Sequence, residues 1–225
     1  MDGLARSGLR RFAALALFMA ALLFIPAGTL RYWQAWAYLA VFFGAGGLVS
    51  AYLFRHDRAL LERRLSGGPF AEKEPAQKII MTFTSLGFMA LLVIPALDRR
   101  FGWSAVPAIV AVAGNLVFLL GYYVNFLVFK ENSFAAATIG VAKDQKVIAT
   151  GPYAVVRHPM YAGALVYCLA TPLALGSLWG LLAVAAVAPF MYWRIVNEEE
   201  VLLRRLPGYA DYCARVRWRL IPRVF

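Results

Sequence analysis

Thr150 to Gly163 reads T-G-P-Y-A-V-V-R-H-P-M-Y-A-G, and the fold is decided by how this stretch sits between the apolar runs on either side of it. It holds two prolines, two tyrosines, an arginine and one of the chain's 2 histidines. Gly151-Pro152 is turn chemistry, and Pro159 pushes His158 out of helical geometry. From Met160 onward the chain is apolar enough to enter a bilayer. The segment therefore reads as a structured loop that brings a histidine and two phenols to the mouth of a membrane bundle.

Composition supports the bundle. Of 225 residues, 62% are hydrophobic and 16% charged, with a mean hydropathy of +0.65; soluble domains are nearer ~45–50% apolar and ~25% charged. The formal charge of +11 does not point to nucleic acid, because the basic residues flank apolar runs and form no aromatic-interleaved stripe. Cys168 lies in an apolar run and Cys213 in the basic tail. That placement supports no disulfide, and without a CxxC pair no metal site is expected.

Working outward, Arg6, Arg10 and Arg11 precede an apolar run from Phe12 to about Leu30. It is long for a signal peptide and lacks a clean cleavage site, so it is expected as the first span. The second span is expected over Trp33–Phe54, with Trp33 and Trp36 at the interface. Asp57 can cap a short amphipathic helix through Leu65, with Leu60, Leu61 and Leu65 on one side and Ser66-Gly67-Gly68-Pro69 ending it. Such a helix would lie on the headgroups. A third span over Ile79–Leu97, a turn at Asp98-Arg99-Arg100, and a fourth span over Trp103–Phe129 follow. The fourth carries Asn115 and Asn125; Asn125, near its cytoplasmic end, is a candidate for lining a site, although amides in a span usually serve helix packing.

After the loop, a fifth span starts at Met160 and is interrupted near Thr171-Pro172 and Gly176. A sixth runs over Leu178–Val196. The fold class is all-α, a polytopic membrane helix bundle of about six spans, or five plus a re-entrant arm. One membrane domain, 1–225, is expected: 1–129 holds four spans, and 130–225 the loop, hairpin and tail. With the amino terminus inside, twenty lysines and arginines fall on the cytoplasmic side and only Arg31, Arg99 and Arg100 on the other. This imbalance puts both termini and the loop in the cytoplasm. The Ala- and Arg-rich composition with short loops suggests a bacterial inner membrane.

The last span ends W-R-I-V-N-E-E-E-V-L-L. Arg194 and Glu198, four apart, share a helix face, whereas Glu199 points away from it. An exposed pair there would be worth only ~0–1 kcal/mol. Ionisable groups at membrane depth, however, tend to be functional, and the loop returns His158 and two tyrosines to the same face.

Taken together, G-P-Y-x-x-x-R-H-P-x-Y-x-G (Gly151 to Gly163), R-x-x-x-E-E (Arg194 to Glu199), G-Y-x-x-Y (Gly208 to Tyr212) and R-x-I-P (Arg219 to Pro222) resemble the isoprenylcysteine carboxyl methyltransferase family, with phospholipid methyltransferases as more distant relatives. The resemblance implies S-adenosylmethionine bound at the cytoplasmic end of the last helices. Tyr153, His158 and Tyr161 would line its pocket, Pro159 and Met160 would form a wall, and backbone groups of Gln145, Lys146, Val147 and Ile148 would contribute. Glu198 would face the cofactor's positive end and Arg194 an anionic substrate group, with Glu199 left open as the alternative carboxylate. The family's upstream glutamine has no clear match, Thr138 standing at about that place.

The implied reaction is methyl transfer to a small lipophilic carboxylate, thiol or amine entering from the bilayer. Two other readings compete. One is a membrane reductase of the steroid 5-alpha-reductase type, with a similar loop but NADPH as cofactor. The other is a non-catalytic transporter, for which no broken-helix repeat or mid-span carboxylate speaks.

Overall fold

The computed structural model describes residues 3–65, 75–135, 140–141 and 144–225. Within them lie α1 (Gly3–Ala27), α2 (Trp33–His56), α3 (Arg58–Leu65), α4 (Pro75–Phe101), α5 (Ala108–Glu131), α6 (Pro159–Ala174), α7 (Gly180–Arg205) and α8 (Tyr209–Arg215), with a short 3-10 turn at Gly151–Ala154. The expected stop at Ser66 to Pro69 and the position of Thr138 lie outside the described residues.

Helices α1, α2, α4, α5 and α7 are long and apolar enough to cross a membrane. At about 1.5 Å per residue each exceeds the ~30 Å hydrocarbon core. The protein is a multi-pass membrane protein. Large apolar side chains cover its outside, among them Leu17, Leu48 and Ile109, all more than two-thirds exposed. Helix α6 is different. Its 16 residues reach only about 24 Å, short of a full crossing. Of the two expected architectures, five long spans plus a short arm is the one found.

Three expected boundaries are corrected. Asp98, Arg99 and Arg100 are not a turn but the last turn of α4. The chain reverses after them, at Gly102 with φ +67, because the Asp98 carboxylate accepts bonds from the Ser104 backbone N–H (2.7 Å), the Ser104 hydroxyl (2.6 Å) and the Ser177 hydroxyl (2.5 Å). The fourth span begins at Ala108 rather than Trp103, since Pro107 at its N-cap holds extended backbone (ψ 146). The last span does not end near Val196; α7 continues through the three glutamates to Arg205.

Helix α3 also departs from expectation. Asp57 does cap it, its Oδ1 accepting from the Leu60 N–H at 2.9 Å. Yet it does not simply lie on the headgroups: Leu60 and Leu61 are buried against Leu53, Val128 and Phe129. The helix roofs the bundle.

The closest packing joins α5 to α6, and small residues permit it. A Cβ on Gly114 would come 2.5 Å from the Ala174 backbone nitrogen, and one on Gly163 would come 2.5 Å from Asn125 Oδ1 and 2.7 Å from the Gly121 carbonyl. Neither backbone carbonyls nor helix axes can give way cheaply. Gly163→Ala is therefore expected to destabilise by about 1–3 kcal/mol through overpacking, read as a lower melting temperature in detergent; an unchanged melt would show that α6 can shift outward. Helix α2 is tied to the same arm by Tyr38, whose hydroxyl lies 3.1 Å from that of Thr171, and by Tyr32, which donates to the Leu175 carbonyl at 2.7 Å. The short arm is thus braced on two sides, with its amino-terminal end held at the signature loop.

Candidate functional site

The loop gets its shape from its own turn residues and from the tail. Gly151 sits at φ +57 directly against the Glu131 carboxylate, in left-handed backbone that suits glycine. Thr150 donates to that same carboxylate. Asn132, just past α5, donates to the Tyr153 hydroxyl at 2.8 Å. Burial nonetheless pushes the Tyr153 phenol up to about 12. Pro159 occupies the first turn of α6, and His158 before it is the non-helical N-cap (φ −123, ψ 61), as the X-Pro clash requires.

The carboxyl-terminal segment then crosses the loop. The Arg157 and His158 N–H groups donate to the Trp218 and Arg219 carbonyls, each at 2.9 Å. Tyr212 donates to the Tyr153 carbonyl at 2.8 Å.

The two glutamates left open at the helix end have different surroundings. Glu199, nearly buried, is a hub: Oε1 lies 2.9 Å from Arg157 Nε and 3.2 Å from His158 Nε2, while Oε2 accepts from Arg219 Nε at 2.7 Å. This contact holds the Arg219 guanidinium further above its usual range. One carboxylate thereby ties α7 to both the loop and the tail. Glu198 turns the other way. Its Oε2 accepts the Tyr161 hydroxyl at 2.6 Å, and the Tyr161 oxygen accepts from Arg194 Nε at 3.0 Å. Arg194 also donates to Gln77 Oε1 of α4 at 2.9 Å, and Gln77 donates to Asn197. The phenol of Tyr161 therefore stands between the arginine and the glutamate.

Two cavities meet at this point. The polar one spans about 800 Å³ counting its solvent-open mouth and is walled by Gln145, Lys146, Val147, Ile148, Tyr153, His158, Pro159, Met160, Tyr161 and Glu198. Those are the ten residues expected to line a cofactor pocket. Asn132, Phe134, Ala135, Gly140, Arg157, Leu202, Leu206, Tyr209 and Tyr212 complete the wall. The Tyr209 hydroxyl is buried there without a hydrogen-bond partner, and burial raises its pKa strongly.

The second cavity lies among the helices, roofed by Leu61, Arg64 and Leu65 of α3, and spans about 1860 Å³ including open space. Arg194 and Asn125, the two expected substrate residues, line it. The Asn125 Oδ1 is buried and unpartnered. Met160, Tyr161 and Glu198 belong to both cavities. A groove between α2 and α5, lined by Val49, Tyr52, Tyr122 and Phe126, adjoins the second cavity through Val49 and Tyr122.

Several participants escaped sequence reasoning. Tyr209 and Tyr212 were visible only as part of a motif, with no role attached. Gln77 lies 117 positions before Arg194 in a run that reads as an ordinary interfacial helix start, so nothing in the sequence marks it. His158 was expected to touch a cofactor; it does line the cleft, but its Nε2 is engaged by Glu199. No group of three or more histidine, cysteine or acidic side chains able to hold a metal occurs among the described residues.

Residues 109–208 match the phospholipid methyltransferase family. That interval holds α5, the signature loop, α6 and α7, and with them Glu198 and Glu199. The similarity there is to methyltransferases, and no comparison favours the reductase. Over the whole chain the structure is similar to a solved eukaryotic intramembrane Ras methyltransferase, isoprenylcysteine carboxyl methyltransferase, at 17% identity, with 100% of this chain and 99% of that one covered and a TM-score of 0.47. No curated protein sequence matches this one significantly.

Proposed function

We propose that the protein is an integral membrane methyltransferase that uses S-adenosylmethionine to methylate a small lipophilic carboxylate, thiol or amine at the cytoplasmic membrane interface. The observation that carries this reading is the junction of a polar, solvent-open cleft with an apolar intrahelical cavity at Tyr161 and Glu198. A hydrophilic cofactor and a lipophilic acceptor need separate entrances and a shared end, and this junction supplies one. The groove between α2 and α5 offers the acceptor a lateral way in from the bilayer. All 225 residues are read as one membrane domain, in which 130–225 forms most of the polar cleft.

The cleft's own groups suit the cofactor. The orphan Tyr209 hydroxyl and the backbone of residues 145–148 offer hydrogen bonds, Leu202, Leu206 and Pro159 offer apolar walls, and Glu198 offers a negative charge. When bound, S-adenosylmethionine supplies an electrophilic methyl group on a sulfonium. Glu198 would compensate that positive charge from the cleft side, with Tyr161 fixing the carboxylate. Arg194, held by Tyr161 and Gln77, presents a planar guanidinium that matches a carboxylate acceptor. A carboxylate or thiolate needs no general base for an in-line displacement, so alignment is the main task left to the protein. The roof of α3 and the apolar walls keep water from the acceptor side, where fixed polar groups act more strongly than in solvent.

S-adenosylhomocysteine should raise the melting temperature of the protein in detergent, and NADPH should not. At a hundredfold excess over Kd the gain is about 2.7 kcal/mol. Stabilisation by NADPH alone would refute the reading.

A further inference from the structure

Helix α3 carries three arginines, and they sit differently. Arg58 is exposed and Arg63 half-buried; each donates through Nε to the carbonyl four residues before it, Phe54 and Ala59. Arg64, also half-buried, lines the apolar cavity beneath the helix. Its Nη1 lies 3.3 Å from the Ala135 carbonyl and 3.6 Å from Met160 Sδ, and its guanidinium carbon stands 4.5 Å from the centre of the Phe129 ring. These partners are a carbonyl, a thioether and an aromatic face. None carries a negative charge.

A guanidinium stays protonated in proteins, and drawing even part of a cation out of water with no counter-charge beside it is costly. Burial does lower the Arg64 pKa. The buried Leu60 and Leu61 on the same helix anchor α3 against the bundle. Asn125 lines the same cavity, and its Oδ1 is buried without a hydrogen-bond partner.

We infer that Arg64 binds an anionic group, a carboxylate or phosphate, on the amphiphile that occupies the apolar cavity, separately from the acceptor atom held at Arg194. The inference rests on reading this cavity as the acceptor site. It makes the acceptor an anionic amphiphile, engaged by one arginine under α3 and by another on α7. The apolar walls favour an alkyl-bearing anion over a free one.

The test uses the full-length protein in neutral maltoside micelles, titrated with dodecanoate, dodecyl phosphate and dodecanol and followed by intrinsic tryptophan fluorescence. At least one of the two anionic probes should bind about 10-fold or more tightly than dodecanol, as a charge-assisted contact implies; which one does so separates carboxylate from phosphate. Arg64→Gln should bring that preference within about 2-fold and leave the dodecanol Kd in place, with Arg64→Lys keeping an intermediate preference. Equal binding of all three probes by the wild type would overturn the proposal. So would displacement of dodecyl phosphate by equimolar inorganic phosphate, or an unchanged preference in Arg64→Gln. Should Arg64→Gln fail to fold, the wild-type series and Arg64→Lys decide the matter.

The S-adenosylhomocysteine thermal shift is measured on the same samples. Its retention in Arg64→Gln is expected, and its loss there would reassign Arg64 to the polar cleft and overturn the proposal. Its absence from the wild type would refute the methyltransferase reading while leaving the anion preference to stand or fall by itself.

Discussion

Arg194→Ala should lower methyl transfer by at least about 100-fold, the scale on which a misplaced reacting group or a lost electrostatic contact costs an enzyme. Arg194 and Tyr161 form one chain with Glu198 at the junction of the two cavities, so removing the guanidinium frees the phenol and unfastens the carboxylate. Glu198→Gln should produce a loss of similar size while leaving the fold intact, since the amide keeps the shape and still accepts from Tyr161. Arg194→Lys separates positioning from charge: a lysine restores the cation but cannot reproduce the planar fork, and only partial recovery is expected. Steady-state rates with labelled cofactor, taken alongside melting curves, are the measurement. Full activity in both Arg194→Ala and Glu198→Gln would reduce the cluster to an interfacial salt bridge.

Glu199→Ala should act on stability rather than on the chemical step. This carboxylate meets Arg157, His158 and Arg219 at once, and its loss strands the largely buried Arg157 and the buried His158. Breaking a buried ion pair from one side costs about 3 kcal/mol. The expected result is a lowered melting temperature together with loss of the S-adenosylhomocysteine shift, because the loop and tail that wall the polar cleft are no longer tied to α7. Helical content by circular dichroism should remain, as the spans do not depend on this contact. Glu199→Gln, which keeps the shape but not the charge, should fall between. A Glu199→Ala protein that melts like wild type and still responds to S-adenosylhomocysteine would show that the backbone bonds from Arg157 and His158 to Trp218 and Arg219 suffice.

The two neighbouring glutamates therefore carry separate predictions, and their difference bears on what could be read from the residues alone. Spacing placed Glu198 on the face of Arg194 and turned Glu199 away from it, because helix periodicity is fixed by backbone geometry. Spacing did not say what either one meets. The loop was legible for a similar reason: Pro159 and Gly151-Pro152 impose their backbone whatever surrounds them, and His158 is indeed non-helical. Boundaries set by long-range contacts were not legible. The Asp98 segment looked like a turn because its three charges resemble loop residues, whereas the Ser104 N–H and the hydroxyls of Ser104 and Ser177 satisfy Asp98 within the helix.

By itself the sequence determined the all-helical class, the apolar spans and the composition of the loop, since hydropathy and proline or glycine geometry act locally and need no partner. The tertiary structure alone decided that α3 is a roof over the bundle, that α6 stops short of a full crossing, that Gln77 anchors Arg194, and that Arg64 lines an apolar cavity with no acidic partner among the described residues. Each of these depends on side chains brought together across tens of residues, and a charge facing a cavity is recognised as such only when its neighbours are known.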